Sequence, residues 1–318
     1  MSELPRLVVI LGPTASGKSE LGIHLAEKLA GEILVCDSTQ VYRHFDIGTA
    51  KVPVAERRGI PHHLIDLVEP EEVFTAGDYR RRAIEVLQDV RERHKVPILT
   101  AGTGLYLRAL LEGLADAPTR SDELRERLRK RASRHGPAYL HRLLARLDNE
   151  IASRIASRDT QKIIRAIEIR VLAGKSVADV HRNGRTALEG YDIRKIGLLP
   201  PRTALYSRID ARVISMIEAD WVDEVRRLIV SGVPANVKPF QFIGYAELRA
   251  CLEGALGQDS AIKKIQLSTR QFAKRQITWF RREEQVEWFT GFGDEPGIQA
   301  AALRVAQNSS PAPSSPAP

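Results

Sequence analysis

Hydrophobic residues follow two different periods along the first hundred positions of the chain. A leucine and β-branched run from Leu7 to Leu11 ends at Gly12, and a helical pattern follows from Lys18 to Leu29. Further strand candidates are Glu32–Cys36, His63–Leu67, Val96–Thr100 and Ile196–Leu199, with a helix from about Asp78 to Arg93. Strands that alternate with helices predict an α/β fold with a mainly parallel sheet flanked by helices.

The pattern becomes purely helical between about Pro118 and Gly190, where no convincing strand occurs. We therefore predict four parts: residues 1–117 as the first part of the core, 118–190 as an all-helical insertion, 191–292 as the second part of the core, and 293–318 as a disordered tail. The second core part is expected to contain three helices, at about Ala204–Ser231, Ala246–Leu256 and Ser260–Glu284. The tail ends in a Pro, Ser and Ala rich segment with nothing to bury.

The charge balance adds a candidate partner to this picture. The chain has 318 residues, 43% of them hydrophobic, and 48 Lys and Arg against 40 Asp and Glu give a net charge of +8. A core of ordinary size is thus possible, and the basic excess suits a polyanion such as a nucleic acid. The composition alone is equally compatible with an ordinary soluble basic protein that binds no polyanion.

Two classes of protein are excluded by the cysteines and by the apolar runs. Cys36 and Cys251 lie far apart and outside any CxxC pair, which argues against a disulfide framework or a zinc site. The first apolar run is too short for a secretory signal, and no stretch approaches the length of a membrane span. We expect an unprocessed, soluble, cytoplasmic monomer with no membrane partner.

A phosphate-binding loop follows the first predicted strand. The sequence GPTASGKS matches the P-loop pattern G-x-x-x-x-G-K-[ST] in its required context between a strand and a helix, which predicts a core like that of the P-loop NTPases. Its diphosphate-binding residues are Gly12, Pro13, Thr14, Ala15, Ser16, Gly17, Lys18 and Ser19. Backbone N–H groups, the helix N-terminus and Lys18 would hold phosphate, and the Ser19 hydroxyl could bind Mg²⁺. The loop leaves open whether the ligand is a nucleoside triphosphate or another diphosphate.

Two further strand ends carry polar residues toward the same edge of the sheet. Asp37 follows the second strand and opens a polar, aperiodic segment that reaches Lys51, and Thr103 lies in a GTG turn after the strand Val96–Thr100. Ligands of open α/β sheets bind at this edge, so both residues are expected beside the phosphate loop. For Asp37 a helix N-cap is the alternative, and the GTG turn could be only structural. A third group, His62, His63 and Asp66, is interpreted as structural, because adjacent histidines on a strand face opposite sides.

The segment from Ile262 to Arg282 contains seven basic residues and no acidic one. At about 100° per residue, Lys263, Arg270, Lys274 and Arg281 form one stripe, Lys264, Arg275 and Arg282 form a second, and the apolar residues, including Trp279 and Phe280, lie opposite. We expect the cationic side to contact a polyanion, and Trp279 and Phe280 to belong to the core. A solvated charged face is the alternative.

Six blocks in order carry a specific resemblance: GPTASGKS, DSTQVYRHFDIGTAK, HHLID, AGTGLY, FIGYAEL and TRQFAKRQITWFRR. Over about Arg6 to Phe289 the chain resembles the tRNA dimethylallyltransferases. The resemblance implies that the P-loop binds the diphosphate of dimethylallyl diphosphate, with Mg²⁺ as cofactor, and that the tRNA anticodon arm is the partner. The implied reaction transfers the dimethylallyl group to the N6 amine of the adenosine immediately 3′ of the anticodon, giving N6-isopentenyladenosine and diphosphate.

The resemblance also implies roles for individual residues. Asp37 would be the general base and Thr103 a positioning group, while either Arg208 or Arg212 would contact the diphosphate. The implied tRNA contacts are Asp37, Ser38, Thr39, Gln40, Thr103, Arg125, Gln161, Lys162, Ile163, Ile164, Arg165, Phe242, Ile243, Gly244, Tyr245, Ala246 and Glu247, and the basic helix adds Arg270, Lys274 and Arg281. Two blocks depart from the family pattern. Residues 159–162 read Asp-Thr-Gln-Lys where Asp-Pro-Gln-Arg is more frequent, and Ala101 stands where glycine is more frequent.

Three other functions are compatible with parts of this sequence. A small-molecule P-loop kinase would share the phosphate loop and the parallel sheet, but it needs basic residues only at the phosphates. An adenylate isopentenyltransferase would share the chemistry without needing an extended cationic surface. A P-loop RNA-binding protein without catalytic activity would need no reactive carboxylate.

Overall fold

The computed structural model describes residues 4–115, 117–182 and 185–308 and divides the chain into two compact units. The sheet unit comprises the described residues up to Leu110 and from Glu189 onward, and the helical unit is Leu111–Leu188. These limits differ by a few residues from the boundaries at 118 and 190 expected from the sequence.

Among its described residues the sheet unit has six strands, in the order β3-β2-β4-β1-β5-β6, and every neighbouring pair is parallel. The predicted α/β fold with its parallel sheet is confirmed. The strands are β1 Arg6–Leu11, β2 Gly31–Cys36, β3 His62–His63, β4 Val96–Ala101, β5 Asp192–Leu198 and β6 Val286–Phe289. All their carboxyl ends therefore meet one edge, where the loops after β1, β2 and β4 come together.

Burial explains why the central strands were readable from the sequence. Leu7 to Leu11 in β1 are all fully buried, and β2 is buried along its length, as continuous apolar runs in a parallel sheet should be. The third strand is shorter than predicted. Leu64 and Asp66 adopt positive φ angles of 65° and 53°, and this left-handed backbone ends the extended segment at His63.

Helices cover the sheet and fill the helical unit. The first three are α1 Lys18–Leu29, α2 Ala76–Glu92 and α3 Gly104–Leu111. The next five are α4 Asp122–His135, α5 Pro137–Leu147, α6 Asn149–Arg154, α7 Thr160–Ala173 and α8 Val177–Arg182. The last five are α9 Arg202–Glu218, α10 Trp221–Val230, α11 Tyr245–Leu252, α12 Gln258–Phe280 and α13 Pro296–Gln307. Short 3₁₀ turns span Val54–Arg57 and Lys238–Gln241.

The helical unit contains no strand among its described residues, and it has its own apolar core. Leu128, Leu140, Leu144, Ile163 and Ile167 are buried together there. Three of its helices, α4, α6 and α7, begin at side-chain caps: Ser121, Asp148 and Asp159 each accept a backbone N–H of the first turn.

Two sequence-based predictions for the second core part and the tail are wrong. The single helix expected over Ala204–Ser231 is two helices, because Asp220 takes a left-handed conformation with φ 67° between α9 and α10. Residues 293–318 were expected to be disordered, yet α13 is formed, and its Ala302 and Ala306 belong to the buried cluster around α1. Residues 309–318 lie outside the described part. No helix of the described chain is long and apolar enough to cross a membrane.

Candidate active site

A cavity of about 1400 Å³ opens at the carboxyl ends of the sheet-unit strands. Its walls include the phosphate loop after β1, the segment 37–54 after β2, the turn 102–105 after β4, and faces of α9 and α12. The three strand ends predicted to converge therefore do so in the folded chain.

The phosphate loop has the geometry that an anion requires. Gly17 precedes α1 with φ 85°, and a Cβ atom at this position would lie 2.7 Å from the Gly293 nitrogen and 2.8 Å from Asp294 Oδ1. Only glycine fits both restraints. The N-terminus of α1 adds its partial positive charge to the loop, and the exposed Ser19 side chain lines the cavity.

Lys18 is the cation of this loop. Its Nζ donates to the Pro13 carbonyl at 2.7 Å. Burial lowers the pKa of Lys18 to about 7, while Asp37 acts to raise it and Arg212 to lower it. A bound anion would favour the charged form of this side chain, so the loop is electrostatically suited to a phosphate ligand.

Asp37 lies across the cavity on the loop that follows β2. Its Oδ1 accepts hydrogen bonds from Thr39 N at 2.9 Å and from Thr39 Oγ1 at 2.7 Å. Its Oδ2 faces Gly102, where an added Cβ would approach it to 2.3 Å. Turns follow Asp37 rather than a helix, so the alternative role of Asp37 as a helix N-cap is wrong.

Thr103 joins the β4 turn to the Asp37 loop. Its Oγ1 accepts from Ser38 N at 2.9 Å and donates to Ser38 Oγ at 3.2 Å, while the amides of Gly102 and Thr103 both donate to the Cys36 carbonyl at 3.0 Å. These hydrogen bonds set the spacing between the turn and the Asp37 carboxylate. The turn therefore does more than connect β4 to α3.

Two side chains, Lys51 and Glu224, stabilise the segment that follows Asp37. Lys51 Nζ donates to the Tyr42 carbonyl at 2.6 Å and pairs with Asp46 and Asp66. Glu224 of α10, which is almost wholly buried, accepts from Ile47 N at 2.8 Å. The Asp66 side chain therefore has a structural role.

The two histidines beside Asp66 also bond to the protein itself. His62 Nδ1 contacts the Ile60 carbonyl at 2.9 Å, and His63 Nε2 contacts Glu32 at 2.7 Å. Within the described ranges, no three or more His, Cys, Asp or Glu side chains are arranged to hold a metal ion.

Arg208 and Arg212, the two candidates for the diphosphate contact, have different surroundings. Arg208 pairs with Asp294 at 2.7 and 3.1 Å and stacks on the Phe292 ring at 4.6 Å. Both arginines line the cavity, but Arg212 has no ion-pair partner in the described part of the chain. Burial lowers the pKa of Arg212, and the nearby Arg208 lowers it further. Arg212 is thus the better placed cation for an anionic ligand.

One wall of the cavity comes from α12, and sequence reasoning missed most of it. Phe272, Arg275, Gln276 and Trp279 line the cavity. The core role expected for Phe280 is confirmed by its 1% exposure, but the one expected for Trp279 is wrong. The Trp279 ring lies against Gly104, with the Arg108 guanidinium 5.1 Å from its centre. The spacing of 272, 276 and 279 on one helical face was the available signal.

The model of the IPP transferase family matches residues 40–283. The chain belongs to the IPP transferase family. It is 50% identical over 302 residues to the tRNA dimethylallyltransferase of Solibacter usitatus (strain Ellin6076), covering 95% of this chain and 98% of that one. It is 48% identical over 305 residues to the tRNA dimethylallyltransferase of Koribacter versatilis (strain Ellin345), covering 96% and 99%.

Solved structures agree with this family membership. The full-length tRNA isopentenylpyrophosphate transferase from Bacillus halodurans is 34% identical with a TM-score of 0.68, over 95% of this chain and 97% of that one. A eukaryotic dimethylallyltransferase described as acting on tRNA is 28% identical with a TM-score of 0.75, over 87% and 70%.

The predicted tRNA contacts in the segment 242–247 of the sheet unit differ in burial. Tyr245 is 0% exposed, and its hydroxyl donates to Glu224 at 2.6 Å. Glu247 accepts from Gly244 N at 2.7 Å and caps α11. The tRNA contact predicted for the Tyr245 side chain is corrected to a packing role, whereas Glu247 is half-buried and its tRNA contact stays a prediction. Of the same segment, Phe242 and Ile243 line the cavity, and Ala246 is exposed.

The predicted tRNA contacts of the helical unit also include both buried and exposed side chains. Ile163 and Ile164 are buried in its apolar core, so their side chains cannot meet tRNA. Arg125 Nε and Nη2 donate to Glu168 at 2.8 and 2.7 Å, and Arg165 pairs with the same carboxylate. Gln161 and Lys162 are exposed, and Lys162 pairs with Asp159 at 2.7 Å.

The basic helix α12 keeps part of its predicted cationic surface. Lys274 and Arg281 are exposed, without an ion-pair partner in the described chain. Arg270 is half-buried and pairs with Asp210 at 3.4 Å. Arg275 lines the cavity instead of facing away from it.

Proposed function

We propose that the chain transfers a dimethylallyl group from dimethylallyl diphosphate to tRNA, at the N6 amine of the adenosine immediately 3′ of the anticodon. One observation carries this proposal: a phosphate loop with its lysine and a carboxylate without an ion-pair partner in the described chain line the same cavity. Family membership adds the class of reaction, since the curated relatives are named tRNA dimethylallyltransferases.

The phosphate loop would hold the leaving group of this reaction. When the allylic carbon–oxygen bond breaks, the electron pair leaves with the diphosphate and the five-carbon group becomes cation-like. Lys18, Arg212 and the N–H groups at the start of α1 lie where they would stabilise the developing negative charge. The Thr14 N–H already donates to Gln276 Oε1 at 2.8 Å, so Thr14 would contact phosphate through its hydroxyl.

Asp37 would act on the acceptor. The exocyclic amine of adenine is a poor nucleophile because its lone pair is delocalised into the ring, and a carboxylate that accepts its hydrogen bond assists attack. As the nitrogen–carbon bond forms, the amine proton passes to Asp37. Thr103, fixed to Ser38 at 2.9 Å, would hold the acceptor side of the cavity in place.

Mg²⁺ fits the residues of the phosphate loop. This cation prefers oxygen ligands, keeps several waters, and takes only one or two protein ligands together with substrate phosphates. The Ser19 hydroxyl is exposed to the cavity and would be such a ligand. When bound there, Mg²⁺ would neutralise part of the diphosphate charge.

The tRNA anticodon arm would bind through exposed basic residues and deliver one base to the cavity. Lys274 and Arg281 present cations on the surface of α12, while Phe272 and Trp279 of the same helix line the cavity. An adenine in a stacked loop would have to leave the stack to reach Asp37, and unstacking a loop base costs only a few kcal/mol.

The functional unit would be a monomer in the cytoplasm. The phosphate loop and Asp37 line the cavity together within one sheet unit, so the proposed reaction needs no residue from a second copy. Size-exclusion chromatography with light scattering checks this: we expect one chain per particle at concentrations that support activity.

A transfer assay tests the function and its alternatives together. The protein is incubated with unmodified tRNA, dimethylallyl diphosphate and Mg²⁺, and the tRNA is digested to nucleosides for mass spectrometry. We expect one adenosine to gain a five-carbon unit. Parallel reactions contain ATP in place of the donor, or AMP in place of tRNA. ATP consumption without a prenylated nucleoside would support a kinase, and prenylation of AMP alone would support an adenylate isopentenyltransferase.

A further inference from the structure

The side chain of Gln276 connects two loops of the cavity. It lies on α12 and is only 5% exposed. Its Oε1 accepts from Thr14 N at 2.8 Å, and its Nε2 donates to the Gly102 carbonyl at 2.7 Å. One amide group therefore spans the distance from the phosphate loop to the turn after β4.

The two groups bonded to Gln276 lie on opposite sides of the cavity, one beside the proposed donor site and one beside the proposed acceptor site. Thr14 lies in the loop proposed to hold the diphosphate. Gly102 lies against Asp37, whose Oδ2 would be 2.3 Å from a Cβ at that glycine, and Thr103 follows directly. The amides of Gly102 and Thr103 both donate to the carbonyl of Cys36, the residue before Asp37, at 3.0 Å, so the turn is bonded to the backbone beside the carboxylate. Gln276 relates the donor half of the cavity to the acceptor half.

The chemistry of an amide suits this bridge better than any charged group would. Both bonded partners are backbone groups of opposite polarity, an N–H donor and a carbonyl acceptor, and glutamine supplies one acceptor and donors of its own. A buried glutamine with both ends bonded adds no charge beside the diphosphate, whereas leaving either end without a partner would carry a desolvation cost.

We propose that Gln276 is a positioning residue, which fixes the phosphate loop relative to the Asp37 carboxylate for transfer between donor and acceptor. This inference rests on the proposed function. Substrates would still bind each half when the bridge is lost, but the reacting atoms would be less well aligned. A misplacement of about 1 Å can lower a rate by about 100-fold, so the effect should fall on kcat.

Substitution by methionine removes the bridge and keeps much of the side-chain length. For Q276M we expect kcat for prenyl transfer to fall about 100-fold, with the KM values for tRNA and dimethylallyl diphosphate changed by less than about threefold. Q266M is the matched control, because Gln266 lies on the same helix and, within the described residues, its side chain donates only to the Asp210 carbonyl, at 3.3 Å. It should keep the wild-type kcat.

Glutamate at the same position gives a second test, which does not depend on Q276M folding. The carboxylate of Q276E can accept from Thr14 N but cannot donate to the Gly102 carbonyl, whereas its protonated form can do both. The ratio of kcat for Q276E to wild-type kcat should therefore rise as the pH is lowered. Measuring wild type at each pH removes changes common to both proteins.

The inference is overturned by a Q276M kcat equal to wild type, by a loss confined to KM, or by a Q276E ratio independent of pH. A wild-type protein that does not prenylate tRNA would instead reject the proposed function.

Discussion

Asp37 in the sheet unit is the predicted general base, and Glu168 in the helical unit lies three residues after Arg165, a predicted tRNA contact. The surroundings of these two carboxylates differ. Glu168 is 0% exposed and accepts from Arg125, from Arg165 and from Ser121 N. Burial alone would raise its pKa, yet these hydrogen bonds hold the pKa of Glu168 at about 2. Asp37 has no ion-pair partner in the described chain and bonds only to Thr39.

The same contrast applies to the cations. Arg208 is paired and Arg212 is not, and on α12 Arg270 is paired while Lys274 and Arg281 are not, as far as the chain is described. Removing one partner of a buried charged pair destabilises the fold, whereas a charged group without such a partner is available to a ligand. The number of charges in a segment therefore says less about binding than their pairing does.

The largest effect should come from the carboxylate without a partner. For D37N we expect kcat for prenyl transfer to fall about 1000-fold, because an amide cannot take the amine proton. Binding of both substrates should change little, as measured by equilibrium titration. D122N, on an exposed carboxylate of α4, is the control. A D37N protein with more than a tenth of wild-type kcat would remove Asp37 from the chemistry.

The paired carboxylate should behave in the opposite way. E168Q leaves two arginines without their buried partner, and we expect the free energy of unfolding to fall by about 3 kcal/mol, with kcat kept in the folded protein. Because the pKa of Glu168 is depressed, its stabilisation is present above the ordinary pKa of about 4.3 and is lost as the pH falls toward 2. Denaturant unfolding across this pH range measures it. If E168Q loses kcat without losing stability, the assignment of Glu168 to stability and of Asp37 to catalysis is contradicted.

The two arginines of α9 refine the comparison. R212Q should raise the KM for dimethylallyl diphosphate by about 10-fold to 100-fold, since a charge-assisted hydrogen bond contributes about 1.5–3 kcal/mol. R208Q should have a smaller effect, because Asp294 already neutralises that guanidinium. R202Q, on an exposed position of the same helix, should match wild type. Steady-state kinetics at saturating tRNA gives this KM for all three variants. If R208Q raises the KM more than R212Q does, Arg208 rather than Arg212 contacts the diphosphate.

The smallest effects are expected on the surface of α12. Replacing Lys274 and Arg281 together by alanine should weaken tRNA binding and reduce the slope of log affinity against log salt by about 0.7–0.9 per lost contact. Replacing the paired Arg270 should change this slope less. Titrations at several salt concentrations give the slopes, and an unchanged slope in the double variant would show that these residues do not meet phosphates.

Local patterns explain what could be read from the sequence. The run Leu7–Leu11, the glycine loop and the strands before Asp37 and Thr103 each carry their own signal within a few residues, and the structure places them as expected. The features that were missed depend on distant partners. β6 is a four-residue strand that exists through its pairing with β5, and Asp294 matters only because Arg208 reaches it.

Buried polar residues were the hardest to assign. Gln276 was passed over as an uncharged position in a basic helix, since its two partners come from loops 262 and 174 residues away. The motifs predict tRNA contacts for Ile163 and Tyr245, which are buried, because motif spacing does not report burial, and burial is decided by how the helices pack.

The central claim is that Lys18, a cation without an ion-pair partner in the described chain, holds the diphosphate of the donor. Calorimetric titration of dimethylallyl diphosphate with Mg²⁺ into wild type and K18M tests it directly, with K28M, on an exposed position of the same helix, as the control. We expect K18M to bind the donor at least about 10-fold more weakly, with K28M like wild type and tRNA affinity unchanged in all three. Equal donor affinity in K18M and wild type would contradict the account.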